Sequence, residues 1–226
     1  MFGNPEITQF SISILARNNN PTILNPDFLK INQIVPSNWE ISSPIFTTEE
    51  LSQVNYKNNI TVAITPDRLI LHQAITSDDF QLLIPEIAIK YLEVLPHVNY
   101  YALVINFMSH VTNQNSEEID SYLREFFLCP GDWKKFKNTL PKASCSLLYS
   151  LEDCEIELSI RPAYLQSQES DNEDKPIIVF SADIERNFDD LKDVNKQREQ
   201  IEHSLKNCEQ DLENYKNLIN QYLNRV

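Results

Sequence analysis

Two glycines, Gly3 and Gly131, are all that this chain of 226 residues contains. Loops that cradle phosphate need several glycines, because backbone N–H groups must come close to the phosphate oxygens. No Walker loop or dinucleotide fingerprint can be written on this sequence, so nucleotide chemistry of those kinds is excluded. Long apolar runs are missing too. No eighteen consecutive residues are apolar, and no membrane span is expected. The opening MFGNPEITQF carries neither a basic leader nor an apolar stretch, so a cytoplasmic location is expected rather than secretion.

Positive charge is scarce: 19 Lys and Arg stand against 33 Asp and Glu, for a formal net charge of −14. A protein that grips phosphates must neutralise them, so nucleic acid is disfavoured as a partner, as is an anionic membrane. The four cysteines, Cys129, Cys145, Cys154 and Cys208, make no CxxC pair. Cys145 and Cys154 flank an expected hairpin turn, where small buried thiols are the expectation rather than a disulfide. His72, His97, His110 and His203 are scattered, with none of the spacings that hold zinc. No nucleophile elbow or cysteine-nucleophile signature is present. The acidic stretch ESDNED at 169–174 lacks the ligand spacing and glycine turn of a calcium loop. No metal, cofactor or catalytic residue is therefore assigned, and the chain is not expected to be an enzyme.

What the sequence does contain is a repetition. FLKINQIVPSNW (Phe28 to Trp39) aligns without a gap on YLREFFLCPGDW (Tyr122 to Trp133), matching leucine, proline and tryptophan, the only two tryptophans of the chain. ITVAITP (Ile60 to Pro66) aligns on IELSIRP (Ile156 to Pro162), and LILHQAITSDDF (Leu69 to Phe80) on IIVFSADIERNF (Ile177 to Phe188). The order is preserved, and a polar, acidic stretch at about 163–174 accounts for the longer last offset. The reading is an internal duplication: a first copy over 1–97, a second over 98–188, and a long C-terminal helix over 189–226.

Each copy predicts strand, helix, three strands, helix. FSISILAR (Phe10 to Arg17) alternates apolar and polar residues, the period of a half-buried strand. YALVINFMSHV (Tyr101 to Val111) is nearly all apolar and reads as a central strand. Asn25 with Pro26, and Asn115 or Ser116, are helix starts, and both helices are expected to stop at Pro36 and Pro130. Closing helices are predicted over Ser77–Leu95 and from Asn187 to the end, the first with its body beginning near Pro85. The fold class is α+β, a pseudo-twofold antiparallel sheet with helices on one face. In element order it resembles the duplicated, saddle-like fold of the TATA-box-binding-protein type. It departs from that family in its acidity and in having none of its nucleic-acid-contacting motifs.

The final helix carries apolar residues at alternating three- and four-residue steps: Ile201, Leu205, Cys208, Leu212, Tyr215, Ile219 and Tyr222. Such a seam packs either on its own sheet or, along its distal half, in a coiled coil with another chain; a homodimer is the simplest form of the latter. Strand parity also gathers polar residues on the sheet face opposite the helices. Arg17 and Arg161 there are expected to hold a carboxylate or phosphate, with Asn106 and His110 on the same face of the central strand. The sequence thus points first to a cytoplasmic, non-catalytic interaction or scaffold protein that binds a protein partner or itself through the last helix. The alternative is a binder of a small anionic ligand or nucleic acid on the sheet face.

Overall fold

A computed structural model describes residues 3–113, 115–129, 131, 135–137, 139–166 and 174–223. Nine strands form one sheet: β1 (Glu6–Arg17), β2 (Phe46–Thr47), β3 (Ser52–Asn55), β4 (Ile60–Thr65), β5 (Arg68–Ala74), β6 (Asn99–Thr112), β7 (Cys145–Ser150), β8 (Glu155–Leu165) and β9 (Lys175–Asn187). Their order across the sheet is β2-β3-β4-β5-β1-β6-β9-β8-β7, and every neighbouring pair is antiparallel. Among the described residues five α-helices accompany it: α1 (Pro26–Ile31), α2 (Ile84–Val94), α3 (Ser116–Phe127), α4 (Val194–Lys206) and α5 (Cys208–Leu223). The chain is a mixed α+β protein with an open antiparallel sheet. Among the described residues no helix is long and apolar enough to cross a membrane.

The alternation of β1 does what its period requires. Phe10, Ile12, Ile14 and Ala16 are buried, while Ser11, Ser13 and Leu15 between them are only partly covered. The apolar side chains of β1, β4, β5, β6, β8 and β9 share one face, and the helices bury it. Tyr91 of α2 meets Phe28 edge-on at 6.5 Å, Phe10 stacks on Phe107 at 5.0 Å, and Phe107 in turn stacks on Tyr215 of α5 at 5.5 Å. Trp39 packs its ring on Tyr56 at 5.2 Å. Its counterpart Trp133 lies outside the described residues, as do Pro130 and most of the acidic stretch, 167–173.

Helix starts follow the local chemistry. The Asn25 side chain accepts from the Phe28 N–H at 2.8 Å, and that of Asn115 from the Glu117 N–H at 2.8 Å, each satisfying a donor the first turn leaves open. The stop of α1 departs from expectation. The helix ends at Ile31, well before Pro36, because Gln33 takes a left-handed φ of 56°. Ile34 N–H then reaches the Leu29 carbonyl at 2.9 Å and Gln33 N–H the Lys30 carbonyl at 3.0 Å, the paired bonds of a Schellman ending. The helix predicted from Ser77 begins at Ile84, next to Pro85. Leu83 at its start has no capping side chain of its own. Buried Gln73 of β5 substitutes, accepting from Leu83 N–H at 2.9 Å and donating to the Gln81 carbonyl at 2.7 Å.

The single C-terminal helix expected from Asn187 is not formed. β9 runs to Asn187, and the helical part is two helices separated at Asn207. The Asn207 side chain donates to the His203 carbonyl at 3.0 Å, and Ser204 Oγ donates to the Gln200 carbonyl at 2.9 Å. The first bond takes a carbonyl of the last turn out of the ladder, and the second is the kind of side-chain back-bond that bends a helix. An unbroken helix of some forty residues would run about 60 Å, whereas two of 13 and 16 residues run about 20 and 24 Å, short enough to lie on the sheet. The third sequence block also shifts. Ile64 pairs with Leu69 and Ile160 with Phe180, so Leu69 stands where Phe180 does, three places beyond Ile177. Ala163, Tyr164 and Leu165 extend β8 rather than opening a loop. Cys145 pairs with Ile160 rather than facing Cys154, and all four cysteines are free thiols.

Candidate interaction surface

The helix face is closed. Ile201, Leu205, Cys208, Leu212, Tyr215 and Ile219, a seam that the sequence leaves open to its own sheet or to another chain, are buried within this one. Tyr222 is half-buried, bonding through its hydroxyl to that of Tyr149 and accepting at its carbonyl from Tyr122 Oη at 2.5 Å. The seam meets the sheet with polar as well as apolar contacts. Tyr215 Oη donates to the Phe180 carbonyl at 3.0 Å and shares a 2.7 Å hydrogen bond with Ser109 Oγ. Burial pushes its phenol above the ordinary range. One step along, Arg186 of β9 makes a two-pronged ion pair with Asp211 of α5 at 2.8 and 3.0 Å, the two side chains only 10% and 6% exposed. Beside it, burial foremost pushes the Cys208 thiol up to about 12, so it is not a reactive thiol at neutral pH.

The opposite face has no described helix over it. Pairing registers fix one row straight across the sheet: Asn55, Thr61, His72, Ser11, Asn106, Asp183, Glu157 and Leu148. The two ends of that row differ in chemistry. On the β3–β5 side the polar groups answer one another: Asn55 accepts from Gln53 at 2.7 Å and from Thr61 at 2.9 Å, and donates to Ser43 at 2.9 Å. His72 sits among them with its imidazole held below its usual range by burial.

On the β8–β9 side the row is acidic. Asp183 lies directly opposite Glu157, and Glu185 directly opposite Glu155, and all four side chains are exposed. Like charges facing each other across two strands repel. Asn106 donates to Asp183 at 2.7 Å and Ser146 to Glu157 at 2.6 Å, but among the described residues no cation pairs with any of the four. No group of acidic, histidine or cysteine residues fit to hold a metal ion occurs among the described residues.

The four residues singled out for a ligand do not converge. Asn106 is at the middle of the sheet, directly opposite Ser11, with its amide committed to Asp183 and, at 3.0 Å, to Ser181. His110 and Arg161 share a row near one end, both opposite Val179. His110 Nε2 lies 3.6 Å from Glu6, whereas Arg161 is exposed. Arg17 is at the other end, opposite Asn99, roughly 35 Å away at the rise of a β-strand. It is paired with Asp189 at 2.7 and 2.9 Å and lies 4.8 Å above the Tyr101 ring. Sequence reasoning missed Glu155, Asp183 and Glu185. The signal was present in EIELS (155–159) and ADIE (182–185), where acidic residues alternate with apolar ones. The Arg186–Asp211 pair had no signal, since only the packing of α5 on β9 brings those residues together. Compared with known proteins, the chain matches no family model and no curated sequence.

Proposed function

We propose that this chain is a non-catalytic, cytoplasmic interaction protein, and that its partner is a protein presenting a lysine- or arginine-rich surface to the β8–β9 half of the open sheet face. The observation that carries this is the block of Glu155, Glu157, Asp183 and Glu185, exposed, mutually repelling and unmatched by any described cation. A cationic surface relieves that repulsion and complements the field of the block. The four free cysteines fit a reducing compartment. Binding of an anionic ligand or nucleic acid is the weaker reading. Arg17 is engaged by Asp189, Arg161 stands far from it, and the carboxylates repel phosphate. To test the proposal, the intact protein captures partners from extracts of the cells that make it. A variant with Glu155→Gln, Glu157→Gln, Asp183→Asn and Glu185→Gln runs beside a charge control with Glu49→Gln, Glu50→Gln, Asp78→Asn and Asp79→Asn. A basic partner lost with the block alone supports the proposal; one retained by the block variant, or lost equally with the control, refutes it.

We also infer that the chain is an internal duplication, with element order similar to the TATA-box-binding-protein type. Supporting this, the order β3-β4-β5-β1 on one side reads in reverse as β6-β9-β8-β7 on the other, and Ser11 faces Asn106 at the centre. Residues 98–226 alone are then expected to dimerise through β6; a folded monomer would count against the duplication.

A further inference from the structure

The two edges of the sheet are built differently. The first ends in β2, two residues long, flanked by Pro44 on one side and by Glu49 and Glu50 on the other. Short strands, prolines and charges are the devices that keep an edge from pairing with another chain. The second ends in β7, six residues reading CSLLYS, with no charge, no proline and no register shift against β8. Leu148 on it is 65% exposed.

We propose that β7 is a self-association edge, on which a second copy of this chain adds its own β7 antiparallel and continues the sheet. This surface is distinct from the acidic block. The strand's chemistry and its charge both favour a second copy as the occupant. A twofold axis perpendicular to the sheet keeps both helix layers on one side and sets residues of like facing opposite each other. Centred on Leu148, it places Leu148 against Leu148 of the second copy, Ser146 against Ser150, and Leu147 against Tyr149. Every cross-strand pair is then apolar or hydroxyl to hydroxyl, the favourable kinds, and no charge meets its like. Glu155 on β8 stands farther from its copy than the nearest unmatched carboxylate, Glu157 opposite Leu148, which stands three strand spacings from its own, about 14 Å. That exceeds the Debye length of about 8 Å at physiological salt but not the roughly 30 Å at 10 mM. Association therefore tightens as salt is added, the reverse of an interface held by opposite charges.

A six-residue strand pair is a small interface, so the dimer is weak and reversible. Sedimentation equilibrium of the full chain over about 10 to 500 µM reads it, at about 10 and about 150 mM salt. Expected are a monomer–dimer equilibrium that tightens about threefold or more with salt, and a dissociation constant raised about tenfold or more by Leu148→Lys. Ile31→Lys, at a site 78% exposed on α1, should leave the constant unchanged. Thermal melting of both variants checks that each is folded, and the salt dependence of the unmodified chain stands without either. A monomer throughout, a dimer indifferent to Leu148→Lys, or association that weakens with salt overturns the proposal. A monomer that instead gains a strand from another protein's extended segment at β7 overturns it equally.

Discussion

The two faces of this sheet spend their polar groups in opposite ways. On the helix face the charges and hydroxyls are few and buried. Those under α5 are matched, Arg186 with Asp211 and Tyr215 with Ser109 and the Phe180 carbonyl, whereas the Ser52 and Tyr56 hydroxyls have no hydrogen-bond partner among the described residues. On the open face they are many, and in the block of Glu155, Glu157, Asp183 and Glu185 they are exposed and of one sign. A buried polar group left unpaired costs stability, and a buried charge costs most of all, so Arg186 and Asp211 depend on each other. An exposed carboxylate faces no such demand, since water solvates it. The matched pairs under α5 thus hold the structure together, and the unmatched acidic block on the other face is the surface we propose for a partner.

The comparison breaks most visibly at Arg186. Asp211→Ala should destabilise the fold by about 3–5 kcal/mol, since it strands a buried guanidinium, whereas replacing both partners with apolar residues should cost far less; denaturant unfolding of the three variants distinguishes these. Tyr215→Phe should cost about 1–2 kcal/mol in the same assay, leaving the Phe180 carbonyl and Ser109 without their buried partner. On the open face the sign should reverse. Glu157→Gln should leave stability unchanged or raise it by up to about 1 kcal/mol, by relieving the cross-strand repulsion with Asp183.

Two smaller effects sharpen the contrast. Alkylation at pH 8 followed by mass analysis should label exposed Cys129 readily and spare Cys208, which is buried with its thiol pushed up to about 12. His72, half-buried on the open face, has its pKa held below its ordinary 6.5 by burial. The unfolded chain then binds more protons than the folded one just below that pH, so stability falls as pH drops through about 6.5. His72→Gln should flatten that fall in thermal melts taken between pH 7 and 5.

The parts of this architecture legible in the sequence were those set by local chemistry. The alternation of Phe10 to Ala16, the caps at Asn25 and Asn115, and the position of α2 beside Pro85 all follow from neighbours in the chain. The seam from Ile201 to Ile219 was legible as a seam, but not its partner: a heptad pattern says that a stripe is buried, and here its own sheet buries it. The break at Asn207 is not legible in the sequence because asparagine is tolerated inside helices, and only its bond to the His203 carbonyl shows it ending one. Arg17 and Arg161 are both exposed, at opposite ends of the sheet. Their separation depends on where along β1 and β8 the registers set them, which parity alone does not fix.

The most direct test of the open face as the partner-binding surface is titration calorimetry with a defined lysine-rich peptide. It would be run on the intact protein, on the Glu155, Glu157, Asp183 and Glu185 neutral variant, and on the control neutralised at Glu49, Glu50, Asp78 and Asp79. Both variants lose the same charge, so general attraction to an acidic protein weakens equally in each. Our account predicts binding weakened about tenfold or more by the block variant and within about twofold of the intact protein in the control. Equal weakening in the two variants would contradict it.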